Sequence, residues 1–168
     1  MKRITLLFLA LSSLALAGVK TTIGPNSNST ETTAGINVNV SAIVTATDTE
    51  LVITDSTGTP ISEVDFNHIL TAGEVTGQGE QSLTADLRVK GSALAPTGTL
   101  STLFGNGTLT LTNGTSSLTT NLTATPGAIA SNREASLSVI SALSGEAVVG
   151  NYATQTTTLT VTYNKTAK

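Results

Sequence analysis

The sequence predicts an all-β protein, an immunoglobulin-like sandwich of about seven short strands, or about eight with the segment at its front. Three observations predict it. Apolar residues alternate with Thr, Ser and Asn in one segment after another, the period-two signature of strands with one buried face. Turn signals recur about every ten residues. No stretch carries the spacing of a long helix. Only "PGAIASNREASL" has room for a helical turn, and Pro126-Gly127 limits it to one.

Residues 1–17 are expected to be a secretory leader. Lys2 and Arg3 precede the apolar run Ile4 to Leu16, and Ala15-Leu16-Ala17 is an A-x-A cleavage site. The run is too short for a membrane span. Residues 18–33, "GVKTTIGPNSNSTETT", are polar and turn-forming and predict a flexible N-terminal tail. Residues 34–46, "AGINVNVSAIVTA", are the clearest strand. Ile36, Val38, Val40, Ala42, Val44 and Ala46 share one face, and Asn37, Asn39, Ser41 and Thr45 share the other. Only Ile43 breaks the pattern.

The remaining domain, 47–168, offers candidate strands near Leu51–Thr54, Val64–Phe66, Ser82–Lys90, Thr108–Thr112, Leu118–Ala124, Ala135–Ala142 and Thr154–Tyr163. In "SLTADLRVK", Leu83, Ala85, Leu87 and Val89 alternate with Thr84, Asp86, Arg88 and Lys90. In "TLTVTY", Leu159, Val161 and Tyr163 alternate with threonines. Asn113-Gly114 predicts a hairpin, because both residues accept positive φ, and Asn106-Gly107 predicts a second turn.

Without the leader, six basic residues face eleven acidic ones. No basic patch invites nucleic acid or anionic lipid. There is no cysteine, so an exported chain must rely on its core and its backbone pairing. Charged residues make up only 11% of the chain, leaving a Thr- and Ser-rich surface that other copies can approach. His68 is the only histidine, and no motif supplies a nucleophile or an orienting group. It is expected to be a polar residue of a loop or strand end. With one His and no Cys, a zinc site is not expected. Asp48, Glu50 and Asp55 lack a calcium-loop spacing and predict a solvated acidic edge. "GTLSTLFGNG" lacks the Lys and the following helix of a phosphate loop. Asn28, Asn106, Asn113, Asn121 and Asn164 each begin an N-x-S/T triplet, which is frequent by chance in so Thr-rich a chain. Aromatic residues are 3% and Trp is absent, which argues against flat sugar platforms. No catalytic residue, metal or cofactor is expected, and an enzyme is the weakest functional class.

The opening strand leaves two arrangements. It is the first strand of a self-contained sandwich, or it pairs with another molecule. After Tyr163 only "NKTAK" remains, so a sandwich built from 47–168 has a surplus strand at its front and a missing one at its end. Donation of the front strand to the next copy resolves both, as β-augmentation does elsewhere.

"INVNVSAIVTATDTELVITDSTGTPISEVDF" and "ASLSVISALSGEAVVGNYATQTTTLTVTY" together resemble the major fimbrial subunits of the colonization factor antigen I type, in the alpha group of chaperone–usher pilins. In the first block an alternating segment runs into an apolar strand, an Asp-containing turn and a second strand. In the second a Leu-Val strand leads to Gly-Asn-Tyr and a final alternating strand. The blocks cover roughly 60 residues, and the absence of cysteine fits the group. In the family the donor segment begins close to the cleavage site, whereas here the tail intervenes.

The resemblance implies an incomplete immunoglobulin-like sandwich lacking its last strand, with 34–46 as donor strand. Ile36, Val38, Val40, Ala42 and Val44 would fill the groove of the neighbouring copy. Leu159, Val161 and Tyr163 would line the acceptor groove. Gly150, Asn151 and Tyr152 would form the turn into the last strand, with Tyr152 buried and its hydroxyl bonded. The implied partners are copies of the chain, a periplasmic chaperone, an outer-membrane usher and a tip adhesin, with export through the periplasm to a surface fimbrium used in adhesion. The alternative is a monomeric secreted β-sandwich that acts as a binding or adhesin module.

Overall fold

The structure, a computed structural model, describes residues 19–23, 36–46 and 51–165, and residues 1–17, expected to be a leader, lie outside them. Among these residues there are eleven strands and no helix. They are β1 Val19–Ile23, β2 Ile36–Ala46, β3 Leu51–Thr54, β4 Ile61–Leu70, β5 Gly73–Glu74, β6 Ser82–Gly91, β7 Thr99–Phe104, β8 Thr108–Thr112, β9 Ser117–Pro126, β10 Glu134–Ala147 and β11 Gln155–Asn164. They form two sheets packed as a β-sandwich, one ordered β1-β4-β2-β11-β7 and the other β3-β6-β10-β9-β8, with β5 on β10. Every pair in the second sheet is antiparallel. The first is mixed, since β1–β4 and β2–β11 are parallel while β4–β2 and β11–β7 are antiparallel.

Alternation places the core. The inward residues of β6 (Ala85, Leu87, Val89) and of β10 (Leu137, Val139) meet Val64 and Phe66 of β4 and Leu159 and Val161 of β11 in one apolar cluster. The opposite faces carry Thr, Ser and the few charges. Lys90 Nζ lies 3.0 Å from Glu134 on the solvent side of the antiparallel sheet.

The turns follow their chemistry. Gly114 has φ +91°, and Asn113 Oδ1 accepts the amides of Thr115 and Ser116, closing the β8–β9 hairpin. Asn106 Oδ1 accepts the amide of Thr108 where the chain passes from the mixed sheet to the antiparallel one.

Val19–Ile23, expected within a flexible tail, form β1 instead. "VKTTI" has an alternating pattern of its own, and Ile23 packs on the core. β7 and β5 were not expected. The segment with room for a helical turn contains none, and 127–133 form the loop that joins β9 to β10 within the antiparallel sheet.

Candidate functional site

β2 occupies a lane between β4 and β11. On one side it runs antiparallel to β4, from Ile36 opposite Leu70 and Val38 opposite His68 to Ile43 opposite Glu63. On the other it runs parallel to β11, from Val40 opposite Gln155 to Ala46 opposite Val161. Val40 and Ala42 are 0% exposed and Val44 5%, so this face is core. Ile43, the one break in the alternation, is 43% exposed on the other face. Without β2, β4 and β11 would face each other across two strand spacings, about 9.5 Å, with both inner edges unpaired.

Of the residues assigned to an acceptor groove, Leu159 and Val161 are buried beside β2, opposite Val44 and Ala46. Tyr163 lies two residues beyond the end of that ladder. It pairs instead with Leu100 of β7, and its ring rests on Gly98, where an added Cβ would lie 2.3 Å from the ring. Thr157, opposite Ala42, was not foreseen. Its hydroxyl donates to the carbonyl of Asn106 at 2.9 Å and accepts the Asn106 amide at 3.0 Å, tying β11 to the β7–β8 turn.

The turn before β11 is pinned at two points. Tyr152 is 6% exposed, and its hydroxyl accepts the amide of Val148 at 2.9 Å. Gly150 has φ +146°, and a Cβ there would come 3.2 Å from Asn113 Nδ2, which donates to the Val148 carbonyl. Asn151 is exposed.

His68 is not at a loop or strand end. It is the eighth residue of the ten-residue β4, faces inward and is 0% exposed. Its Nδ1 lies 2.6 Å from the Glu80 carbonyl, which can only accept, so that nitrogen carries the proton. Its Nε2 then accepts the Ser141 hydroxyl at 2.9 Å, and Ser141 Oγ accepts that of Thr120 at 3.1 Å. Ser141 and Thr120 are also fully buried, so the chain of bonds pins β4 of one sheet to β10 and β9 of the other. Burial pushes the His68 pKa down, and the bond to Glu80 opposes the shift. The relay has no solvent contact and ties the two sheets together.

Asp55 Oδ1 accepts the amides of Thr57 and Thr59 and the Thr57 hydroxyl. These bonds, the Thr57 hydroxyl foremost, hold its carboxyl below the usual range, so it organises the β3–β4 turn. Asp48 and Glu50 lie outside the described residues. Among those described, no cluster of three His, Asp or Glu is placed to hold a metal. Two depressions of about 270 and 300 Å³ on the solvent face of the antiparallel sheet meet at Arg88 and Ser136.

Comparison of the chain with protein-family models, with curated proteins and with solved structures finds no match.

Proposed function

We propose that the protein is a structural subunit of a surface fibre, polymerising by donor-strand complementation, with β2 of one copy seated in the β4–β11 lane of the next. One observation carries the proposal. β2, which comes from before residue 47, is the central rung between β4 and β11, the last described strand, and it joins β11 in parallel. A strand added to a finished domain would leave this signature, since β2 shares no hairpin with β11. The fold would be an immunoglobulin-like domain one strand short, and its fibre would serve adhesion. During export a chaperone would hold the lane open and an usher would exchange it.

Magnitudes favour a durable joint. Burial of the larger aliphatics contributes roughly 1.5–3 kcal/mol each, and each ladder hydrogen bond about 0.5–1.5 kcal/mol net. Over eleven residues between two partner strands the gross gain is comparable to the stability of a small domain, on the order of ten kcal/mol. Ordering the segment offsets part of it.

The same observation also favours a second reading. β2 lies in the lane of its own chain, as a self-contained secreted binding module would have it. Electrophoresis of surface-extracted protein in SDS without heating separates the two. A ladder of multimers that collapses to monomer on boiling is the expected result. A single monomer band from unheated material supports the monomeric module.

A further inference from the structure

We infer that the exchanged segment is bipartite: β1 and β2 of one copy enter the neighbouring copy together and grip its β4 from both edges. This rests on the strand exchange proposed above. Among the described strands, β4 is the one that pairs with both β1 and β2. β1 runs parallel along one edge, from Val19 opposite Ile61 to Ile23 opposite Phe66. β2 runs antiparallel along the other, starting from Ile36 opposite Leu70.

Chain length decides whether β1 follows β2 or stays at home. β2 is joined to its own domain only through residues 47–50, a tether of at most about 18 Å between Ala46 and Leu51. β1 hangs from the opposite end of β2. When β2 is donated, its Ile36 end lies about 33 Å beyond Ala46, measured along the strand. For β1 to remain on its own β4, residues 24–35 would have to run back along that length and across the tether. Fully extended they reach roughly 45 Å.

To follow β2 into the neighbour, the same residues need only round the end of one strand. Ile23 and Ile36 are then about 10 Å apart across β4 and about 13 Å apart along it. The short path is available in the neighbour, and the nearly straight one is needed at home. The transferred β1 also brings Ile23 to the apolar core, so the joint gains a second anchor on the far side of β4.

A chain without cysteine makes the test direct. Thr22 and Asp65 are backbone partners in the β1–β4 ladder, and Ile43 and Thr158 are partners in the β2–β11 ladder. Neighbouring strands hold such pairs within disulfide reach. Thr22→Cys is placed in one copy and Asp65→Cys in another, and both are expressed in the cell that assembles the fibre. Extracted fibres are oxidised and boiled in SDS without reductant. Each single variant expressed alone reports background. Ile43→Cys with Thr158→Cys is run in parallel, and Lys20→Cys with Glu63→Cys replaces the first pair if Asp65→Cys does not fold.

Reductant-sensitive dimers from both ladders are expected. Dimers from the Ile43/Thr158 pair alone overturn the bipartite grip and leave strand exchange standing. In that case Thr22→Cys and Asp65→Cys in one chain should close within that chain. Dimers from neither ladder overturn both proposals.

Discussion

Between Leu51 and Ala147 the chain builds the antiparallel sheet largely from strands close in sequence. β8 meets β9 through a four-residue turn, and β10 runs back along β9. The mixed sheet gathers its strands from afar. β1 and β2 come from before residue 47, β11 from after residue 154, and β4 and β7 from between them. Removing residues 19–46 would leave every described ladder of the antiparallel sheet intact and would strip β4 of both its neighbours. One sheet is therefore a scaffold that the central chain specifies for itself, and the other is complete only with an N-terminal contribution.

The comparison breaks most sharply at β2. Val40→Asp puts an unpaired carboxylate where exposure is 0%, and should cost upwards of about 4 kcal/mol and abolish assembly. Ile43→Asp, on the exposed face three residues away, should stay within about 0.5 kcal/mol. Urea denaturation with fibre length measured in parallel checks the pair. Equal effects would mean that β2 does not bury the face assigned to it.

The His68 pin joins the two sheets, so its loss tests how far one depends on the other. His68→Ala leaves the Glu80 carbonyl and the Ser141 hydroxyl without their partner in a closed core, and should cost about 3 kcal/mol. The pin also responds to pH. Its folded pKa is depressed, so the unfolded chain binds the proton more readily. Stability is full above the ordinary histidine value of about 6.5 and falls as pH drops through it toward the folded pKa. In thermal melts between pH 7.5 and 5, His68→Ala should lose this dependence, and an unchanged slope would assign it elsewhere.

Smaller effects sharpen the contrast. Tyr152→Phe leaves the Val148 amide unbonded and should lower stability by about 1 kcal/mol, read as a shift in the denaturation midpoint. Glu134→Gln, on the solvent face of the scaffold sheet, breaks partly exposed pairs with Lys90 and Arg88 and should cost less than about 0.5 kcal/mol. A loss above 1 kcal/mol would show that the charged face carries more of the scaffold than its exposure suggests.

Two short strands were legible to the residue. β3 and β8 match the sequence expectation at both ends. β4 and β10 proved longer than expected. Beyond Phe66 the inward position of β4 holds His68, bonded to Ser141 of β10, and beyond Ala142 the polar run Ser144-Gly145-Glu146 masks the end of β10. β7 was hidden because Leu103, 71% exposed, puts an apolar residue on its outer face and blurs the period. β5 is too short for periodicity to register, and the five-residue alternation of β1 is set among the polar, turn-forming residues of 18–33. In the candidate site, Val40, Ala42 and Val44 were readable because β2 buries a clean face. The displacement of Tyr163 onto Gly98 depends on where the β2–β11 ladder stops, and a single strand does not encode that.

The parallel join of β2 to β11 also sets an order of events. Val40 and Gln155 are about 115 residues apart in the chain, so their contact closes one of the longest loops the molecule contains. Such closures are entropically late and slow relative to hairpins like β8–β9. β2 is also made before the strand it lies beside exists. It must wait without its β11 neighbour while the scaffold sheet condenses, and throughout that wait its apolar face is open to whatever complementary edge arrives first.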